Sequence, residues 1–226
     1  MVAAFCRVPV AAWCIVVFWI PRIPCAEGRF RMIRKVLPVL CALCLAGTGA
    51  LAETHGRGYV PPADFDRLFQ EHLRVFPADK DDLPVVWDWR AMGGVTSVKN
   101  QGACGSCWAF AAAAEMEAKI SIYYNRVLDL SEQQIISCNP YGSGCGGGWA
   151  GSAYYVFQYR GGITEDCMPY AGSDNVPCTD TEHHEFADLT SWYSVASDVN
   201  QIKQAVLEGP VCTAIDANDA FEGYSG

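Results

Sequence analysis

The chain has 226 residues, 51% of them hydrophobic and 18% charged, with a formal net charge of −9. The charge is uneven: the first 52 residues are basic and apolar, whereas the remaining 174 hold 10 Lys and Arg against 24 Asp and Glu. So acidic a body argues against a nucleic-acid binder, which needs clustered Lys and Arg, and offers no basic surface to anionic lipid.

In chain order, Val8 to Ile20 is an apolar run broken by Pro9 and ended by Pro21. It is short of the roughly 20 residues that a spanning helix needs. Met32 opens a second run. Arg34 and Lys35 are followed by the apolar stretch Val36 to Ala46 and the small-residue site Ala50-Leu51-Ala52. Basic, apolar and small-residue regions in that order read as a secretory signal peptide. Residues 32–52 are therefore expected to direct export, with processing after Ala52, to a secreted, periplasmic or lysosome-like location. Residues 1–31 read as an extension upstream of the true start. The alternative is an uncleaved membrane anchor built from both runs.

Residues 53–82 are polar and interrupted by Pro61, Pro62 and Pro77, which fits a short pro-segment or linker. Within it, Phe65, Leu68, Phe69 and Leu73 recur at helical spacing. From Leu83 the texture becomes globular. Cys107 to Tyr124 contains no Gly or Pro and reads as a helix. Ser131 with Gln134 makes a capping-box pattern for a second helix. Ala150 to Tyr159, stopped by Gly161-Gly162, suits a third. Asp198 can cap a fourth, which ends at Gly209-Pro210, and Val211 to Ile215 then reads as a strand. Helices first and strands last point to an α+β fold.

Twelve cysteines are present, seven of them after residue 52. In an oxidising compartment six would pair and one would remain a thiol. The chemistry concentrates in Gln101-Gly102-Ala103-Cys104-Gly105-Ser106-Cys107-Trp108. Cys107 opens a long helix, where unpaired N–H groups and the helix dipole favour the nucleophilic thiolate. The Gln101 amide and the Cys107 N–H could both donate to a developing oxyanion.

This stretch resembles the papain and cathepsin family of cysteine proteases, whose local signature Cys104 to Trp108 matches. The resemblance extends in register from Leu83-Pro84 and Asp88-Trp89-Arg90 through Leu130-Ser131-Glu132-Gln133, Gly144 to Gly148, Pro169-Tyr170 and Gly209-Pro210-Val211 to the end of the chain. It implies a two-lobed papain-like fold with a helical first lobe and a β-rich second lobe. Cys107 would be the nucleophile and Gln101 the oxyanion-hole side chain. Gly147 and Gly148 would hold the substrate backbone, with Trp149 and Ala150 near a side-chain pocket. Gly146 departs from the Asn usual there. The resemblance also implies the disulfides Cys104–Cys145 and Cys138–Cys178, leaving Cys107 as the thiol; a Cys167–Cys212 bridge is a weaker expectation. The implied partner is a peptide or protein substrate of a monomeric enzyme, with no cofactor and no metal.

Other readings of the same residues are a thioredoxin-like Cys104-x-x-Cys107 pair, a zinc site with Cys138 and Cys145, and Trp149 as plain core. His183-His184 reads as a solvated acidic loop. In the family, the base His and its Asn lie about 130–150 residues after the Cys. Only 119 residues follow Cys107, with no His after His184. The peptidase domain is therefore expected to stop before its base, with an unfinished sheet, an exposed edge and no useful hydrolysis by the 226 residues alone. The alternative function is a non-catalytic papain-like module that binds peptides.

Overall fold

The computed structural model describes residues 58–77, 83–182 and 186–215, together with the backbone of 2–5 and 14–18. Two strands, β1 (Val2–Phe5) and β2 (Cys14–Phe18), precede a short helix α1 (Phe65–Glu71) and a two-residue strand β3 (Leu73–Arg74). The first lobe is built from α2 (Cys107–Tyr124), α3 (Glu132–Cys138) and α4 (Ala150–Tyr159), with a 3-10 turn at Asp180–Glu182. Strand β4 (Ser191–Val195), helix α5 (Val199–Leu207) and strand β5 (Cys212–Ile215) follow.

Twelve of the 18 residues of α2 are buried. Its alanines let neighbouring elements approach closely, while Trp108, Met116 and Ile120 interlock with Ile135, Tyr154 and Phe157 from α3 and α4. A helix apolar on nearly every face belongs inside a core. It ends at Asn125, which adopts the left-handed conformation with φ 52°. That is a common stop for a helix, because Asn tolerates the geometry.

The caps follow the sequence in part. Ser131 Oγ accepts from Gln134 N at 3.0 Å, and Asp198 accepts from the amides of Asn200 and Gln201. The reciprocal half of the capping box does not form. The buried Gln134 side chain instead donates to Gly161 O at 2.8 Å and accepts from Ile163 N at 3.0 Å, while Ser131 N donates to Ile163 O. Gln134 therefore satisfies the backbone of the loop after α4. The helix expected around Phe65 stops at Glu71, because Leu73 turns into β3 and pairs with Ser194.

The strands form one sheet in the order β1-β5-β2-β4-β3. β2 runs antiparallel to both β4 and β5, whereas β1 lies parallel to β5 and β3 parallel to β4. The expected open edge does not fall on β4 or β5, which each have a hydrogen-bonded neighbour on both sides; the edges of the sheet are β1 and β3. The physical reason is that upstream segments supply the missing ladder partners. Strand β4 was not foreseen, because Tyr193, Ser194 and Val195 are all buried and the alternation of a half-buried strand is lost. No described helix is long and apolar enough to cross a membrane.

Burying α2 also buries its charges. Glu117 accepts from Lys99 Nζ at 2.8 Å, Thr96 Oγ1 at 2.6 Å and Leu130 N at 2.8 Å. Lys99 also pairs with Asp129 and Glu132. Burial acts to lower the Lys99 pKa, but the three carboxylates hold it above its ordinary value. Burial likewise pushes the Glu132 carboxyl up to about 7 against the pull of Lys99. Because that folded-state value exceeds the ordinary 4.5, the contribution of Glu132 to stability is fully present below the ordinary value and is lost as pH rises through 7. Lys99→Met should cost roughly 3–5 kcal/mol near neutral pH, since it strands buried carboxylates. Denaturation at pH 7.5 and pH 5 should show a smaller loss at the lower pH.

Candidate active site

Cys107 is the first residue of α2, with its side chain buried at the positive end of the helix. The turn before it is tied down from several directions. Ser106 O accepts from Ala109 N and Phe110 N. Ser106 Oγ lies 2.7 Å from the Tyr170 hydroxyl, which donates to Gln101 O at 2.7 Å. A phenol has one proton, so Ser106 is the donor to Tyr170. The Tyr170 ring rests edge-on against Phe110 at 4.9 Å. Gln101 Nε2 donates to Cys104 O at 2.8 Å. The structure therefore brings Gln101, Cys104 and Cys107 into one turn, locked by a tyrosine that the helix and strand patterns did not single out.

The opposite wall is residues 144–148. Gly144 and Gly147 exchange two backbone hydrogen bonds of 3.0 Å, and Cys145 N donates to Asp174 Oδ1 at 2.7 Å. Two links join this wall to the Cys107 turn: the Cys104–Cys145 disulfide and the Gly105 N bond to Cys145 O at 2.9 Å. Trp108 Nε1 also donates to Gly144 O at 3.2 Å. Gly147 has φ 122°, and a Cβ there would lie 2.6 Å from Val60 Cγ2. A Cβ on Gly148 would lie 2.6 Å from both Ser143 Cβ and the Trp108 ring. Both positions need glycine, one for backbone geometry and one for close packing.

Trp149 caps α4 and is buried, with Phe65 at 5.7 Å and Trp192 at 5.9 Å, both edge-on. Ala150 is buried beside it. Cys138 and Cys178 form the second disulfide. Asp180, close to these sulfurs, is held by Arg160 through bonds of 2.5 and 2.6 Å. That spends the group's sulfurs and carboxylate on each other and on arginine rather than on a metal.

Two cysteine expectations are corrected. Cys167 and Cys212 are not disulfide-bonded. Cys212 is instead buried at the start of β5, its N–H donating to Glu115 Oε2 at 3.2 Å, while Cys167 stands near Thr164 Oγ1. Cys107, expected as the leftover thiol, carries a disulfide whose partner lies outside the described residues. The count that left it over assumed that the first 52 residues had been removed; with them present, twelve cysteines compete for partners.

The segment from Gly58 to Val60 lies along the 147–148 wall. Gly148 N donates to Gly58 O and Val60 N donates to Gly148 O, both at 2.7 Å, making a parallel bridge between Tyr59 and Gly148. Gly58 is buried, and a Cβ on it would fall 1.7 Å from Gly105 O. The chain then passes through α1, where Arg67 bonds Asp64 and Glu71. It continues to His72, whose ring stacks on Trp192 at 3.9 Å and whose Nδ1 bonds Leu68 O at 2.8 Å. His72 is the only histidine among the described residues; His183 and His184 lie outside them, as do residues 32–52. Three residues in extended contact carry no periodic signal, so the sequence marks residues 53–82 as a short pro-segment or linker without locating this contact.

A family model described as Papain family cysteine protease matches residues 83–226. The chain belongs to this family. Among its relatives, zingipain-2 of Zingiber officinale is 40% identical over 61% of this chain and 62% of its own length. A viral cathepsin of Lymantria dispar multicapsid nuclear polyhedrosis virus is also 40% identical, over 66% of this chain and 42% of its own. Among solved structures, procathepsin L2 of Tenebrio molitor superposes with a TM-score of 0.61 at 31% identity, covering 76% of this chain and 57% of that one. A recombinant stem bromelain precursor gives 0.56 at 34% identity, covering 60% and 45%. The papain-like α+β fold is thus established, over roughly two-fifths to three-fifths of the relatives' lengths.

Tyr170→Phe keeps the ring on Phe110 and removes the hydroxyl shared by Ser106 and Gln101. It should lower stability by about 1–2 kcal/mol, read by denaturant titration of the oxidised papain-family chain.

Proposed function

We propose that this chain carries the nucleophile-bearing lobe of an exported cysteine endopeptidase. In reduced form, Cys107 Sγ attacks the scissile carbonyl, helped by its place at the start of α2. The carbonyl oxygen gains charge and is held by the Cys107 N–H and the Gln101 amide. Collapse breaks the C–N bond, the leaving amine takes a proton from an imidazolium, and a thioester remains. Water activated by the same imidazole then releases the acid and restores the thiol. The imidazole and its orienting Asn come from outside the described residues. Gly147 and Gly148 align the substrate by main-chain hydrogen bonds.

The observation that carries this reading is the bridge between Tyr59 and Gly148. An extended segment lies against the wall tied by Cys104–Cys145 to the Cys107 turn, which is where a thiolate nucleophile needs its peptide substrate. Residues 58–60, within the 53–82 pro-segment, then occupy the groove in cis. The Cys107 disulfide favours a second reading, a peptide-binding module without turnover, and the assay separates the two.

With the protein expressed from its full coding sequence and assayed under reductant on a fluorogenic peptide amide, Cys107→Ala should abolish turnover. Gln101→Ala should lower kcat roughly a hundredfold or more, as for loss of one oxyanion donor. Turnover that survives Cys107→Ala would overturn the peptidase reading, and peptide binding without any turnover would establish the module instead. Gly58→Ala, which forces the segment off Gly105, should raise the initial rate of unprocessed protein. An unchanged rate would remove residues 58–60 as the blocking element.

A further inference from the structure

Residues 74–76 are held at a face made by β4 and α5. Arg74 and Phe76 turn in toward that face, while Val75 between them is 71% exposed. This is the alternation of an extended strand.

Each inward side chain has a built seat. The Arg74 guanidinium makes two bonds to the Glu208 carboxylate, of 2.8 and 2.9 Å. It also lies 4.5 Å from the centre of the Phe76 ring and 4.7 Å from that of Tyr193. Tyr193 donates to the same carboxylate at 2.9 Å and so steadies it. Phe76 is buried in a small core whose other members are Tyr193, Val195, Ala205 and Val211.

The backbone of the segment is held separately. Gln201 pairs with both polar groups of one residue: its Oε1 accepts from Phe76 N at 2.7 Å, and its Nε2 donates to Phe76 O at 3.1 Å. Gln204 Nε2 donates to Pro77 O at 3.1 Å. Ser194 N donates to His72 O at 2.8 Å, where β3 runs parallel to β4. Such bonds hold an extended chain whatever its side chains. Sequence preference therefore comes from Glu208 and the aromatic seat. Gln201, Gln204, Glu208 and Tyr193 all lie on β4 or at α5, away in sequence from the 144–148 wall.

We propose that this face is a second peptide-recognition site, separate from the groove, for an extended segment that carries arginine two residues before an aromatic. Residues 72–77 are its resident occupant. Strand addition supplies affinity and the alternate side chains supply specificity. Charge complementarity with Glu208 selects a cation, and the geometry selects arginine among cations. A guanidinium offers a planar fork to the carboxylate and a flat face to the two rings, whereas an ammonium offers neither. The site holds its occupant whether the groove is filled or empty, and it accepts the same pattern from another polypeptide once residues 74 and 76 are weakened.

Binding rather than turnover tests this, so the outcome is independent of peptide cleavage. The full chain carrying Arg74→Ala and Phe76→Ala is titrated calorimetrically with acetyl-His-Leu-Arg-Val-Phe-Pro-amide, which should bind. Lysine in place of the peptide's arginine, or Glu208→Gln in the chain, should each weaken binding about tenfold or more, the scale of a lost charge-assisted pair. A peptide with its arginine and phenylalanine exchanged should bind weakest. If the double variant does not fold, Arg74→Ala alone takes its place. In the otherwise unaltered chain, hydrogen exchange at the Phe76 amide reports the resident segment. Arg74→Lys should lower its protection, whereas Gly58→Ala, which disturbs the groove contact, should leave it unchanged. Three results would overturn the proposal: no binding of the peptide, equal binding of the exchanged peptide, or Phe76 protection that falls as far in Gly58→Ala as in Arg74→Lys.

Discussion

A helix buried almost all round cannot keep its ionisable side chains unless each meets a partner inside the protein. Helix α2 carries Glu115, Glu117 and Lys119 in its buried span. An unpaired buried charge costs several kcal/mol, so these residues dictate what may stand beside them. Glu117 draws in Lys99, which gathers Asp129 and Glu132 and so fixes the start of α3. Lys119 donates to Glu208 O at 2.7 Å and holds the end of α5. Glu115 takes the Tyr154 hydroxyl from α4 and the Cys212 amide from β5. The elements α3, α4, α5 and β5 are thereby each tied to α2 by a polar contact.

The active-site candidates inherit their positions from that arrangement. Once α2 is fixed along its length, its first turn is fixed too, and Cys107 with it. What remains is to bring a second wall to that turn. A disulfide, one backbone hydrogen bond and the Trp108 indole do this, all converging on residues 144–145. Asp174 supports the wall from behind, where Gly144 leaves it space. Glycine stands where the neighbours come closest: Gly58 against the Gly105 backbone, and Gly148 against the Trp108 ring.

The segment in the groove continues into the sheet. After α1, His72 lies flat on Trp192, and its carbonyl accepts from Ser194 N at 2.8 Å. Arg74 then pairs with Glu208 through two bonds of 2.8 and 2.9 Å and covers the rings of Phe76 and Tyr193. The same Glu208 accepts from the Tyr193 hydroxyl at 2.9 Å. The segment is therefore held at both ends, by Tyr59 at the groove and by Arg74 at the sheet. Residue 208 links it to α2 through the carbonyl that receives Lys119.

Much of this was legible in the sequence, and for a physical reason. Helix α2 is uninterrupted from Cys107, Ser131 and Asp198 can only be caps where they stand, and the run from Gln101 to Trp108 places a thiol at a helix start. These are local properties of neighbouring residues, and local geometry fixes them. The extent of α4 and the strand at Cys212 were legible for the same reason. What the sequence could not decide were contacts between residues far apart in the chain: Tyr170 joining Ser106 to Gln101, Asp174 behind Cys145, and Tyr59 on Gly148. The disulfide of Cys107 and the pairing of β4 and β5 with upstream strands belong with them. Such contacts depend on which surfaces meet after folding, and no spacing along the chain encodes that. The nucleophile candidate is thus set by its helix and motif, whereas the segment that lies along its groove is set only by tertiary packing.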